Sequence, residues 1–251
     1  MKNNRQLMVK LALFAGLLGF VGFAWAAIAW SSETELFRIE QIQINGKTVI
    51  DKDDYIEILG DWEGLSTREI HQSDIRLAFE SHPFVEAVRV SKQYPKTIRI
   101  DLVERNPVAF INMKPLVMVD RLGVILPAKG ISDHYDIPYF SGFNPDKALY
   151  PPGFETRSQK MQEAVGILSR IKREYVSLYN NISEVTLSGN DEYIFILAER
   201  PTRIILGKNN PWQKLEVLRE FESALEQPHG ITLFKQIDLR HQNQVVTRTW
   251  S

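Results

Sequence analysis

The sequence contains no cysteine and no strong excess of either charge. Without a thiol, the chain can form no disulfide, use no cysteine nucleophile and offer no thiolate to a metal. It has 30 basic and 31 acidic side chains, for a formal net charge of −1. Because a nucleic-acid-binding protein usually has a basic excess on one face, we expect no nucleic acid among its partners.

The common signatures of catalysis and metal binding are also missing. The five histidines are scattered, and none stands in an H-E-x-x-H or similar ligand spacing. There is no phosphate-binding glycine loop and no G-x-S-x-G motif. The nearest candidate, Asp133-His134-Tyr135-Asp136, is more typical of a polar loop than of a metal or base site. We therefore expect no enzyme, cofactor or small-molecule substrate; an envelope enzyme acting on peptidoglycan is the alternative that would need this cluster.

One long apolar run is present near the N-terminus. Residues 11–30 carry no formal charge, and at about 1.5 Å per helical residue they span roughly 30 Å, the thickness of a bilayer's hydrocarbon core. Signal peptides usually have an apolar region of only about 7 to 15 residues. The length therefore favours a retained transmembrane helix, although the A-x-A patterns at 24–26 and 27–29 resemble cleavage sites.

The charges on either side of this run predict its orientation. Residues 1–10 carry Lys2, Arg5 and Lys10 and no acidic residue, and positively charged flanks stay in the cytoplasm. Residues 31–36 form a juxtamembrane linker in this interpretation. Residues 31–251, with 27 basic and 31 acidic side chains and a formal charge of −4, are expected in the periplasm of a bacterial cell.

Residues 37–105 show the pattern of a small α+β domain. A strand is predicted at 37–44, where isoleucines alternate with polar residues before the turn dipeptide Asn45-Gly46. A short helix follows at 51–59. A second helix is predicted to open at Ser66, which has capping-box spacing to Glu69. Two further strands complete the order β-α-α-β-β, and they are predicted at 85–90 and 97–103.

Residues 106–251 are predicted to form a β-rich domain with an extended sheet and two helices. Four short apolar runs between 108 and 140 indicate a meander. One helix is predicted at 158–179, and the other begins at Asn210-Pro211, with asparagine as N-cap. The remaining strands are predicted at 182–187, 193–197, 203–207, 234–239 and 245–250. From the residues alone, the last strand could equally lie at a sheet edge or be covered.

Several motifs resemble those of one bacterial family. Lys92-Gln93-Tyr94-Pro95, followed by Glu104-Arg105 and Pro107, is similar to the pattern of the FtsQ/DivIB family. Leu206-Gly207-Lys208 and Asp238-Leu239-Arg240 are similar to later parts of that pattern. The resemblance extends over the whole chain. It implies a POTRA domain at 37–105 and a scaffold protein of the divisome at the division septum.

The resemblance also implies partners and contact residues. The C-terminal region would bind FtsB in complex with FtsL by strand addition, in which an edge strand pairs with a strand of another chain. Two POTRA positions, Gln93 and Glu104, match those that the family uses for other divisome contacts, including FtsK. The C-terminal candidates are Arg240, His241, Asn243, Gln244, Val246 and Trp250.

Some residues depart from the family pattern. Tyrosine is usual at the position of His241, glycine at that of Gln244, and arginine near Asn190 or Asp191. A POTRA-containing envelope assembly or secretion factor remains the alternative function. Such a factor would carry further POTRA copies or a C-terminal barrel, whereas this sequence predicts two helices in its second half.

Overall fold

A computed structural model of the chain describes residues 2–33, 37–60, 62, 65–128, 130, 132–225, 230–241 and 244–250. Helix α1 (Lys2–Glu33) begins the chain. Its segment Lys10–Trp30 contains an 18-residue stretch with a mean hydropathy of 2.2 that is not buried against the rest of the protein, and the segment is long and apolar enough to cross a membrane. The α+β class that the sequence predicts is confirmed.

A three-stranded sheet, here called the small sheet, follows α1. Its strand order is β1-β3-β2, with β1 parallel and β2 antiparallel to β3. Along β3 the buried Ile98, Ile100 and Leu102 alternate with more exposed residues, as expected of a strand with one face on a core. The buried face packs against the two helices, where the rings of Tyr55 and Phe79 stack 6.0 Å apart. The elements are β1 (Gln41–Asn45), α2 (Lys52–Glu57), α3 (Gln72–Glu80), β2 (Val85–Gln93) and β3 (Thr97–Glu104).

The prediction that the second helix opens at Ser66 is wrong. Helix α3 begins only at Gln72, and Ser66 forms an isolated β-bridge with Arg38. The neighbouring Thr67 is fully buried, and its hydroxyl donates a hydrogen bond of 2.9 Å to the carbonyl of Pro95. The segment is therefore held by long-range backbone contacts, which override its local capping pattern.

The rest of the strands form one large sheet of nine. Its order is β12-β11-β10-β9-β8-β7-β4-β5-β6. Because β7 lies between β4 and β8 and is parallel to both, the prediction of one meander is correct only for the first three strands. The strands are β4 (Pro107–Ile111), β5 (Val117–Asp120), β6 (Ile125–Pro127), β7 (Tyr139–Ser141), β8 (Ile182–Leu187), β9 (Tyr193–Leu197), β10 (Arg203–Gly207), β11 (Phe234–Asp238) and β12 (Val246–Thr249).

In the described part of residues 106–251, three α-helices accompany the large sheet where the sequence predicts two. They are α4 (Gln159–Glu174), α5 (Val176–Asn181) and α6 (Pro211–Ser223). The predicted helix at 158–179 is interrupted at Tyr175, whose φ of −143° and ψ of 60° are not helical. The Tyr175 hydroxyl donates to the carboxylate of Glu222 near the end of α6, so a contact between helices accompanies the break. Helix α6 begins at Pro211 as predicted, but its N-cap Asn210 is left-handed and makes no side-chain capping bond.

The two sheets meet at a mixed apolar and ionic junction. Phe84, just before β2, belongs to a buried cluster with Phe110 and Met118 of the large sheet. Arg105, between β3 and β4, donates to the buried carboxylate of Asp120 at 2.8 Å. The start of the large sheet is therefore packed against the end of the small one.

Candidate docking edge of the large sheet

The last strand lies at one border of the large sheet. Among the described residues, β12 pairs only with β11, in antiparallel register, with Val246 opposite Asp238. The side chain of Val246 is 45% exposed. An edge strand of this kind presents unpaired backbone N–H and C=O groups to a further strand. The structure thus resolves the question of its position, which the residues alone left open.

The opposite border of the same sheet is covered. Ile125 of β6 accepts a backbone hydrogen bond from Gly153 at 2.8 Å and donates one to Phe154 at 2.9 Å. Bridges to Pro152 and Glu155 continue this contact. Pro152, like any proline, also lacks the backbone N–H that pairing with a further strand requires. Of the two borders of the large sheet, the one at β12 therefore has the backbone groups available for pairing.

Three of the predicted contact residues lie beside β12 in one cleft. Arg240, His241 and Gln244 line a cleft of about 600 Å³ together with residues at the start of α6. His241 and Gln244 are exposed. Asn243, the fourth predicted residue of this stretch, lies outside the described residues. Arg240, His241 and Gln244 thus lie together beside the terminal strand, and their contact with a partner stays a prediction.

The guanidinium of Arg240 is held by two carboxylates of its own chain. Its Nη2 lies 2.6 Å from Oδ2 of Asp238, and its Nη1 lies 3.3 Å from Oε1 of Glu192. The hydrogen bond from Arg240 keeps the pKa of Asp238 below its usual range, and the two carboxylates raise the pKa of Arg240. Since 43% of the Arg240 side chain is exposed, a partner carboxylate can reach an arginine whose direction is already fixed.

Gly207, at the end of β10, makes room for this arrangement. A Cβ at Gly207 would lie 2.9 Å from Cγ of Arg240 and 3.2 Å from Nζ of Lys214, and the φ of Gly207 is +78°. Lys214 itself donates to the carbonyl of Leu206 at 2.5 Å. Burial lowers the pKa of Lys214. The negative charges of Asp238 and Glu192 oppose this shift, and the positive charge of Arg240 adds to it. The sequence analysis did not identify Gly207, Lys214 or Glu192 as parts of this cleft.

Trp250 follows β12 and packs on its own chain. Its indole N–H donates to the carbonyl of Thr232 at 3.2 Å, and the guanidinium of Arg200 lies 5.3 Å from the ring centroid. The ring is partly exposed. Trp250 therefore fixes the end of the edge strand to the body of the sheet.

The two other predicted contact residues lie in the small sheet. Gln93 is the exposed last residue of β2 and pairs with Thr97. Glu104 is the last residue of β3, and its carboxylate accepts hydrogen bonds from the Tyr55 hydroxyl and the backbone N–H of Val49, both at 2.6 Å. The structure thus does not bring these two residues together with the C-terminal group.

The Asp133-His134 segment forms a short 3₁₀ turn in the connection from β6 to β7. Asp133 and His134 are both exposed there. Within the described part of the chain, no group of three or more His, Asp or Glu side chains could hold a metal ion. The segment has the character of a polar loop.

Comparison with known proteins gives two matches to family models and several similar relatives. Residues 37–105 match "POTRA domain, FtsQ-type", and residues 106–248 match "FtsQ/DivIB, C-terminal related". "Cell division protein FtsQ" of a Geobacter species is 25% identical over 237 residues, covering 94% of this chain and 84% of the relative. The protein of that name from Geotalea daltonii is 23% identical, covering 98% and 90%. The one from Rhodothermus marinus is 25% identical, covering 98% and 88%.

Proposed function

The chain belongs to the FtsQ/DivIB family of membrane-anchored cell division proteins, and from this we propose that it is a non-enzymatic scaffold that binds the FtsB–FtsL complex at the outer edge of β12. Membership of this family is the observation that supports the divisome role. The open border at β12 supports the mode of binding, because it offers backbone groups where the opposite border is covered.

The proposed topology follows from the N-terminal segment. Lys2, Arg5 and Lys10 lie in the first part of α1, before the uncharged run at 11–30, and favour a cytoplasmic N-terminus. Both sheets then lie in the periplasm and the protein acts at the septum of the inner membrane. In this arrangement the POTRA domain, 37–105, stands nearest the membrane and the C-terminal domain, 106–251, extends from it.

The proposed contacts divide into backbone and side-chain groups. Strand addition uses the peptide groups of β12, so it tolerates the departures from the family pattern at His241 and Gln244. Arg240 supplies a fixed guanidinium beside the strand. In the small sheet, the exposed Gln93 is suited to contact another divisome protein such as FtsK. The carboxylate of Glu104 is already bound by its own chain, so Glu104 would influence a partner only by holding β3 in place.

The assembly-factor alternative is less well supported. The match of 106–248 to the FtsQ/DivIB C-terminal model covers the region where that alternative expects further POTRA copies or a barrel. No geometry in the described residues favours it over the divisome role.

Proline substitution tests strand addition at β12. In a strand, successive N–H groups point to opposite sides, so of Val246 and Thr247 one faces β11 and the other faces the open border. We compare Val246→Pro and Thr247→Pro in the full chain, in detergent micelles, for binding of the FtsB–FtsL complex. Amide hydrogen exchange of β11 identifies the variant that keeps β12 paired, and Val246→Thr is the control with an intact backbone donor.

We expect the proline variant whose β11 amides stay protected to bind the FtsB–FtsL complex at least about tenfold more weakly than the unsubstituted chain. A tenfold change corresponds to roughly 1.4 kcal/mol of binding free energy. Binding equal to that of the unsubstituted chain in that variant would show that the partner does not pair with β12. Absence of binding by the unsubstituted chain would instead reject the FtsB–FtsL assignment.

A further inference from the structure

A second and larger cleft lies between α4 and the segment that leads from β10 into α6. Its volume is about 960 Å³, and it is lined by residues of both elements together with Arg121 from the turn after β5. Glu163 contributes the one carboxylate among its lining residues. The basic lining residues are Arg121, Lys160, Arg170, Arg173 and Lys208. This cationic excess contrasts with the formal charge of −4 beyond residue 30, so the cleft attracts anions.

The arginines of α4 already bind carboxylates. Nε of Arg170 and Nη2 of Arg173 lie 2.7 and 2.9 Å from the two carboxylate oxygens of Glu174. The Arg173 side chain is 69% exposed. Exposed ion pairs of this kind are weak and are screened by salt. A carboxylate from another molecule can therefore take the place of Glu174 at little cost.

One of these arginines is held in place by an aromatic ring. The guanidinium carbon of Arg170 lies 3.9 Å from the ring centroid of Trp212, at the start of α6. Stacking on tryptophan restricts the long side chain while its N–H groups still donate in the guanidinium plane, where Nε is paired with Glu174. The arrangement presents a fork that matches a carboxylate in two parallel hydrogen bonds.

The loop 208–210 separates this cleft from the one beside Arg240. Lys208, Asn209 and Asn210 line both clefts. A protein segment can thus lie across the loop and contact both clefts. Four cations, Arg121, Lys160, Arg170 and Arg173, line only the larger cleft. The site does not depend on backbone pairing at β12.

We propose that this cleft is a second docking site, which binds an Asp- and Glu-rich segment of a partner protein. Carboxylates are favoured as the ligand groups because Glu163 and Glu174 occupy the same cations in the unbound chain, at distances of 2.7 to 3.1 Å. A partner segment replaces these intramolecular pairs with several simultaneous ones.

The test uses a labelled decapeptide of alternating Glu and Gly and its Gln-Gly counterpart, with the full chain in a neutral detergent. Fluorescence anisotropy at low salt is expected to show binding of the acidic peptide at least about tenfold tighter than that of the neutral one, with loss of binding as salt is added. The combined substitution Arg173→Glu and Lys208→Glu should weaken binding by about tenfold or more. Lys47→Glu with Lys147→Glu is the control, because it changes the net charge equally at exposed positions outside the cleft.

Several results would overturn the proposal. These are equal binding of the two peptides, equal loss in the control pair, or retention of binding in the Arg173 and Lys208 variant. If that variant is misfolded by circular dichroism, Arg173→Gln with Lys208→Gln replaces it. Tighter binding of an anionic muropeptide or of phosphatidylglycerol vesicles, in competition with the peptide, would assign the cleft to the cell wall or to lipid instead. Val246→Pro should leave peptide binding unchanged, so failure of strand addition and failure of this site are distinguishable.

Discussion

The hydroxyl of Tyr55 lies 2.6 Å from the carboxylate of Glu104 and joins helix α2 to the end of β3. The same carboxylate accepts the backbone N–H groups of Val49 and Ile50. Burial, together with this hydrogen bond, raises the pKa of Tyr55, so the phenol stays a donor. Glu104 therefore fixes the point at which the chain leaves the small sheet.

Replacing Glu104 should destabilise the small sheet. Glu104→Ala leaves three donors without their acceptor, and we expect a loss of about 2 kcal/mol, whereas Gln93→Ala at an exposed position should cost less than about 0.5 kcal/mol. Amide hydrogen exchange of β3 in the full chain measures both. Equal protection of the β3 amides in the two variants would mean that Glu104 does not stabilise the small sheet. Any effect of Glu104 on partner binding would then come from direct contact with the partner.

His82 should make the small sheet sensitive to acid. Its ring lies 5.3 Å from that of Tyr55 and 6.1 Å from that of Phe84, and its Nδ1 is buried with no hydrogen-bond partner among the described residues. Burial lowers the pKa of His82, while the nearby Glu104 and Asp54 oppose this shift. Above the ordinary value of 6.5 the ring is neutral in both folded and unfolded chains. As the pH falls below that value, the unfolded chain takes up a proton first, so the free energy of unfolding decreases until the folded pKa is passed.

Amide hydrogen exchange of β2 and β3, recorded at several pH values from neutral to mildly acidic and corrected for the intrinsic exchange rate, measures this decrease in the free energy of unfolding. His82→Gln removes the titrating ring and should flatten the profile, while His71→Gln, at an exposed histidine before α3, should not. A profile unchanged by His82→Gln would assign the acid sensitivity to another group.

Trp250→Ala should loosen β12 before any partner is present. The substitution removes the hydrogen bond to Thr232 and the contact with Arg200, which together contribute roughly 1 to 2 kcal/mol. We expect the amides that β12 shares with β11 to exchange about tenfold faster. Arg248→Ala, at an exposed position of the same strand, is the control. If β12 stays fully protected while partner binding is lost, Trp250 acts on the partner directly, as the sequence analysis predicts.

The fold could be predicted from the sequence where burial follows a simple period. The strand predicted at 97–103 and the start of the helix predicted at 158 are confirmed, because each element packs one apolar face on a core. The break at Tyr175 and the insertion of β7 between β4 and β8 could not be predicted, since they depend on contacts with distant segments.

The candidate site shows the same division. Arg240 and Asp238 are two residues apart, so their pairing is local, and the backbone N–H of Arg240 also donates to the Asp238 carboxylate. Glu192 joins them from a segment 48 residues away, and Gly207 matters only because the stem of Arg240 passes over it. The sequence pattern shows neither the approach of Glu192 to Arg240 nor the passage of Arg240 over Gly207. It also does not show which strand lies at the edge of the sheet.

The covered border at β6 limits how the large sheet can grow. An open-ended ribbon of molecules requires two free borders on each sheet, one to receive a strand and one to offer it. Here the segment from Pro152 to Glu155 occupies one of them. Backbone pairing can therefore extend this sheet in a single direction. Copies of the chain can therefore pair with one another only at the β12 border, and they cannot propagate a filament by this route.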